Sequence, residues 1–516
     1  MILLMRQGRI LLALLFLITG YTVRAQSPRI TYAEPDRNDS RRTEFDIIGK
    51  IGGNFLIYKN NRNEHTVSVY DENMQLTNTS KLDFLPDRWI NVDFVSYPSH
   101  NYSYMIFQYQ RRNIVYCSAV RLDSRGMKMG NPIELDTTEI GFASNNKIYT
   151  TINSDDKKRI MIFKINSRNP RNFVFTTLLF DADLTLLKKD RMNIPMEDRS
   201  ESFTDFLLSN DGELVFGKFV RPRTNSDYIS GVKMVTKFPD SSGFSIHPVE
   251  IGPRLLDELK LKVDNTNKRI LMNAFYYTER RGNIEGLYSL FWDKNTNIPI
   301  SDTVIIFTDE LRNLAKSPDA NKKYAFNDYY IKNITIRKDG GFVMVAESLY
   351  SSSRGNTFNR WDYSRWGYPM YYPMDYYYWS PMYGPGFMPW GNRYSSSTRY
   401  YADNIMILSF NNEGLVEWSS VIPKSQFDDE TDNTLSFHTL NTGGELHFIF
   451  NLFEKRSLLL SDQSIDAEGN ITRVPTLRNL DKGYEFMPRF AKQVSARQMI
   501  IPCLYRGFLC FAKIDF

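Results

Sequence analysis

The feature that most constrains the fold is a short pattern that recurs along nearly the whole chain: an apolar strand, a polar tip, a second apolar strand, an acidic turn and a third strand. Eight copies can be read. Their leading strands are "NFLIYK" from Asn54, "SYMIFQ" from Ser103, "RIMIFK" from Arg159, "ELVFGK" from Glu213, "RILMNA" from Arg269, "GFVMVA" from Gly341, "ELHFIF" from Glu445 and "QMIIPC" from Gln498. Most begin 49 to 56 residues after the previous one. The strands after the tip, such as "TVSVYDEN", "TTLLFDAD" and "YSLFWDKN", mostly end in Asp or Asn, residues that cap their own backbone in turns or tolerate left-handed φ.

Each copy has room for a further strand ahead of the first, as in "INVDFVSY", "FTDFLLSN", "TLSFHTLN" and "EFMPRFAKQ". Four short antiparallel strands, repeated, cannot bury both sheet faces singly, so the units must pack around an axis. In this architecture the chain resembles the β-propeller class, all-β, with eight blades expected and seven as the alternative. No WD or kelch signature accompanies the resemblance. The last copy stops at Phe516 after its third strand, and "PRITYAE", Pro28 to Glu34, is expected to supply the missing fourth and lock the ring. Residues 26–516 then form one propeller domain.

In a meander of strands A to D, the D-to-A and B-to-C connections share one face, and the A-to-B and C-to-D turns share the other. Every B-to-C tip contains Arg: Arg62; Arg111 and Arg112; Arg168 and Arg171; Arg221 and Arg223; Arg280 and Arg281; Arg354, Arg360 and Arg365; Arg456; Arg506. These are either a basic rim for binding or ordinary exposed charge. On the opposite face the C-to-D turns carry Asp71, Asp123, Asp181, Asp240, Asp293, Glu413 and Asp466, the chemistry such turns favour anyway. The D-to-A loops add acids around the channel mouth: Asp87; Glu197, Asp198 and Glu201; and Asp428, Asp429, Glu430 and Asp432 of "FDDETD". An acidic mouth inside a basic rim either seats a partner of matching charge or balances itself.

On the face with the Arg tips, blade six carries a B-to-C insertion at 351–401, with "WGYPMYYPMDYYYWSPMYGPGFMPW" at its heart. From Trp366 to Trp390 it holds seven Tyr, three Trp, five Pro and four Met. The prolines block regular helix and long strands. Trp366, Tyr371, Tyr372, Tyr376, Tyr377, Tyr378, Trp379, Tyr383 and Trp390 are amphipathic rings of the kind that anchor interfaces or stack on sugars. With Arg111, Arg112, Arg221, Arg223, Arg280 and Arg281 they are the candidate binding residues. The alternatives are a cover packed over the channel mouth and low-complexity drift without a role.

Catalytic constellations are mostly missing from the sequence. The five histidines, at 65, 100, 247, 438 and 447, include no HExxH and no metal spacing, and GxSxG and Walker motifs are missing. The acids of "FDDETD" do not match an EF-hand loop, so no cofactor is expected and Ca²⁺ is a minor alternative. Propellers host glycoside hydrolases and lyases that need little more than paired carboxylates, which makes Asp428, Asp429 and Glu430 the candidate acids of a second reading. Of three cysteines, Cys503 and Cys510 should face each other across the Arg506-Gly507 turn. They form either a disulfide, at a hydrogen-bonded pair expected to suit one less well, or two buried thiols. Cys117 has no evident partner.

The N-terminus reads as a signal peptide, 1–25: Arg6 and Arg9, the run "ILLALLFLI", then Val23 and Ala25 ahead of the cleavage point. The run is too short to span a bilayer, and no Cys follows it to carry a lipid. The "AQ" junction resembles that of exported Bacteroidota proteins. Net charge is only +5, so charge does not indicate a nucleic-acid partner. The propeller is expected to end at its last blade, with no C-terminal sorting domain appended. The expectation is an exported binding or scaffold propeller, periplasmic or outer-membrane-associated, holding an envelope protein or glycan; the alternative is a carbohydrate-active enzyme. Oligomeric state is left open.

Overall fold

The computed structural model describes residues 28–36, 43–86, 89–140, 147–169, 172–196, 201–222, 228–280, 282–316, 328–353, 378–379, 398–429, 431–454, 457–473 and 483–516. Within them the chain forms eight small antiparallel sheets standing in a ring, an eight-bladed β-propeller. Blade 1 shows the plan: strands A (Thr43–Ile51), B (Asn54–Asn61), C (Glu64–Tyr70) and D (Leu76–Lys81) pair in chain order. Neighbouring blades meet along their A strands, for example blade 1 with blade 2 (Trp89–Tyr97) and with blade 8 (Lys492–Ser495), so the A strands line the axis.

The ring is held by apolar contact between blades, and the B and C strands show why. In blade 5, strand B (Arg269–Tyr277) is buried at every position. Ile270, Met272 and Ala274 pack towards blade 4, while Leu271 and Phe275 pack towards blade 6. Alternate side chains of one strand therefore feed two interfaces, which is why these strands read as unbroken apolar runs instead of alternating. Among the described residues there are eight large apolar clusters, one for each interface between adjacent blades, including that between blades 8 and 1. Each fully buried Phe, Leu or Ile contributes about 1.5–3 kcal/mol.

Closure is carried by the N-terminal strand. Arg29–Tyr32 pairs antiparallel with strand C of blade 8 (Phe508–Asp515), Arg29 opposite Asp515 and Tyr32 opposite Ala512. The free edge of strand C is thus paired. Polar ties also join blade 8 to blade 1: the Lys492 ammonium donates to the Ile47 carbonyl at 2.7 Å, and Lys513 donates to the Glu72 carbonyl at 2.7 Å.

Most of the acidic C-to-D turns are structural, and in blade 6 Asn411 takes the part expected of Glu413. The Asp71 Oδ1 accepts from the backbone N–H of Asn73 and Gln75, both at 2.8 Å. The same i+2 and i+4 pattern recurs at Asp123, Asp181, Asn411 and Asp466. It forces left-handed φ on the third residue after the Asp or Asn in these turns: Met74, Gly126, Leu184, Gly414 and Gly469. That residue is driven against the preceding blade, so a Cβ at Gly469 would sit 2.7 Å from the Trp418 ring.

Candidate functional site

Two surfaces qualify: the channel wall and the face bearing the B-to-C tips. Polar residues on or next to the A strands furnish the wall. They include Asp46 of blade 1, Asp93 of blade 2, Asp205 of blade 4, Lys260 of blade 5 (Lys260–Asp264), Lys332 of blade 6 (Tyr329–Ile336), His438 of blade 7 (Phe437–Asn441) and Lys492 of blade 8. Opposite charges pair between blades, Lys147 with Asp93 at 2.8 Å and Lys260 with Asp205 at 2.9 Å. Burial pushes the Asp46 carboxyl above the usual range; Lys492 opposes that and Asp93 adds to it. Burial likewise pushes the His438 imidazole down to about 4, so it is neutral at pH 7. Burial also lowers the Lys332 ammonium, with Glu347 opposing and Arg489 reinforcing the shift.

Behind this wall, between blades 6 and 7, lies a fully buried pair. Glu347 of strand B (Phe342–Ser353) meets Lys424 of strand D (Val416–Asp428) at 2.8 Å, and Lys332 approaches to 3.4 Å. Despite burial, Lys424, Lys332 and the Ser436 hydroxyl hold the Glu347 carboxyl below its usual range.

On the tip face blade 6 stands apart. Its strands B and C (Thr398–Phe410) stay paired out to Ser353 opposite Thr398, forming a stem for the insertion. Tyr350 and Tyr401 stack across the stem, centroids 4.5 Å apart and planes at 11°, and the Tyr350 hydroxyl donates to Asp403 at 2.8 Å. From the insertion, Tyr378–Trp379 forms a two-residue strand that pairs with strand B of blade 3 (Arg159–Asn169), Trp379 opposite Ile165 and Tyr378 opposite Asn166. Strand A of blade 3 (Thr150–Asn153) reaches only as far as Phe163 on that edge, so the insertion continues the inner edge of a blade three positions away. Trp366, Tyr371, Tyr372, Tyr376, Tyr377, Tyr383, Trp390, Arg223, Arg281 and Glu430 lie outside the described residues.

The remaining sequence-derived candidates are scattered. Arg62, Arg112 and Arg506 sit at two-residue tips with left-handed φ, near 52°, 56° and 52°. Arg111 is exposed beside Arg112. Arg280 is exposed, its guanidinium over the Tyr228 ring at 5.6 Å. Arg221, just past the end of its strand, is buried, its guanidinium over Phe219 at 5.4 Å. The mouth acids are engaged. Asp429 takes a two-pronged contact from Arg399, which keeps its carboxyl ionised below the usual range. Asp428 accepts from the Thr431 N–H at 3.0 Å and the Thr434 hydroxyl at 3.4 Å. Asp432 is bonded to Arg489, and Glu201 is buried against Lys218 at 3.0 Å. Among the described residues no cluster of three or more His, Cys, Asp or Glu is placed to hold a metal.

No family profile and no curated protein matches the chain. Among solved structures, it is similar to prolyl oligopeptidase B from Galerina marginata at 9% identity and TM-score 0.40, over 91% of this chain and 56% of that one. It therefore spans little more than half that protein's length. A europium-containing methanol dehydrogenase (9%, TM-score 0.38, 91% and 87% covered) and a PL25 ulvan lyase (10%, TM-score 0.36, 81% and 90% covered) are similar to the same degree. Nothing about this chain's chemistry follows from them.

Two features escaped the sequence. Glu485, on strand A of blade 8 (Tyr484–Phe486), has its carboxyl raised by burial and then by Asp428 at the end of strand D of blade 6, where the blade 6–7 loop begins. An acid inside "GYEFMPRF" carries no signal until the fold brings that loop beside it. The second is the distribution of exposed apolar residues on the tip face. Ile306, Leu314, Phe427, Phe453 and Phe508 all lie at the tip-face ends of blades 5 to 8, with Phe453 69% and Phe427 56% exposed. Among the described residues, the other exposed large apolar side chains lie along D strands or at their starts, as Leu76, Met127, Leu186 and Ile298 do.

Proposed function

We propose that the protein is a non-catalytic binding or scaffold propeller of the cell envelope, holding a protein or glycan partner on the tip face of blades 5 to 8, beside the root of the aromatic insertion. The exposed Ile306, Leu314, Phe427, Phe453 and Phe508, all at the tip-face ends of blades 5 to 8, carry the proposal, because large apolar side chains left in water on one face are what an interface buries. Export rests on the N-terminal residues 1–25. The engagement of Asp428 and Asp429 supports binding over catalysis: an acid catalyst needs a raised carboxyl, and Asp429 is held ionised by Arg399.

One observation favours the alternative, a carbohydrate-active enzyme: Asp428 and Glu485 are carboxyls at the mouth, and Glu485 is shifted towards the protonated form. The two readings separate on a panel of envelope and plant polysaccharides assayed for turnover. The binding reading expects none. Turnover by the native protein that disappears in D428N and E485Q variants would replace it with the alternative.

A further inference from the structure

We propose that Cys503 and Cys510 are joined as a disulfide that bolts strands B and C of blade 8, and that the bond is made before the ring shuts. The inference rests on the export reading for its oxidising surroundings and on the structure for its geometry. The Arg506-Gly507 tip sets Tyr505 opposite Phe508, Leu504 opposite Leu509 and Cys503 opposite Cys510. The structure holds both as thiols, their Sγ atoms facing each other at 2.8 Å, close enough to be joined by a small side-chain movement. Counting from the tip, the pair is a hydrogen-bonded one, whose usual Cα separation of about 5.5 Å lies within the range that disulfides span. Cys117, on blade 2, is buried in the interface with blade 3, far along the chain from both.

The surroundings decide when the bond can form. Cys503 and Cys510 are 0% and 1% exposed. They lie in the cluster between blades 7 and 8, with Leu440, Ile449 and Leu460 from blade 7 and Ile30 and Tyr32 from the closing strand. A redox partner reaches the sulfurs only while the closing strand or blade 7 is undocked. In that state one cysteine thiolate attacks a disulfide-bearing oxidant, giving a mixed disulfide and expelling one thiolate of the oxidant. The second cysteine thiolate then attacks the mixed disulfide, forms the Cys503–Cys510 bond and releases the oxidant's other thiolate. The two protons lost by the cysteines end on the two released thiols. Closure of the ring afterwards shields the bond from reductants.

The test counts alkylated cysteines by intact mass after denaturation. One sample is full-length protein from the envelope fraction of its own cells, and the other is full-length protein refolded in a glutathione redox buffer. One alkylated cysteine, Cys117, before reduction and three after it is the expected result. Bonding in the refolded sample with no protein in the envelope fraction keeps the disulfide and removes the export reading. Three reactive thiols before reduction in the refolded sample overturn the proposal. A second measurement does not depend on foldability of a variant: the folded, oxidised protein treated with dithiothreitol should keep Cys503 and Cys510 protected until denaturant is added. Reduction at the same rate with and without denaturant would refute the sealed position. A C503A/C510A variant should have a melting temperature insensitive to reductant, whereas the oxidised native protein should lose a few degrees.

Discussion

At the residue scale, the turn acids and the channel histidine make claims that single substitutions can check. Asp181 serves the N–H groups of Asp183 and Thr185 at 2.9 and 2.8 Å. D181A should therefore cost about 1–2 kcal/mol in urea unfolding while leaving the proposed partner capture at the other face intact. At Gly469, φ is +88° and an added methyl group would press on Trp418, so G469A should cost about 1–3 kcal/mol. His438 makes stability depend on pH. Its folded-state pKa of about 4 lies below the unfolded value of about 6.5, so the unfolded chain takes up the proton first as the pH falls. Its neutral form is fully compatible with the fold above about pH 6.5, and up to about 3 kcal/mol is lost as the pH drops from there towards 4. An H438Q variant should flatten that part of the profile, and an NMR titration of His438 near 6.5 would contradict the assignment.

At the element scale, what the sequence makes legible depends on how many faces an element buries. Strands B and C bury both, so "RILMNA" or "NFLIYK" announces itself, and the repeat exposes the ring. Strands A present one side to a charged channel and several are broken. That of blade 4 is Glu201–Phe203 plus Leu207–Leu208, and that of blade 8 is interrupted by a single 3₁₀ turn at Pro488–Phe490. They show no clean alternation, and the channel charges they carry pass unnoticed. The closing strand is legible by subtraction, since the last blade lacks a partner. Removing residues 28–34 should leave Phe508–Asp515 with an open edge, lower the melting temperature by many degrees and promote association on size exclusion. The acids of "FDDETD" are visible as acids, yet what they do is set by Arg399 and Arg489, 30 and 57 residues away. Strand D of blade 6 hides a second long-range dependence. K424M would leave Glu347 buried with only Lys332 and the Ser436 hydroxyl beside it, and the loss should be about 3–5 kcal/mol in denaturant unfolding.

At the scale of the whole molecule, a closed ring gives rigid support to loops that differ from blade to blade. Eight interfaces of similar character hold the blades, and three features depart from the repeat: the blade 6 stem, the strand that the insertion lends to blade 3, and the apolar end of blades 5 to 8. A partner seated there would cover Phe427 and Phe453 and meet the insertion where it leaves the stem. The most direct measurement is affinity capture from the organism's own envelope extract, comparing the native protein with a variant lacking residues 358–395 and with an F427S/F453S variant, each shown to melt as the native protein does. A specific partner retained by the native protein and lost by both variants is the predicted result. Equal capture by all three, or no retained partner alongside turnover of a polysaccharide, would contradict the account.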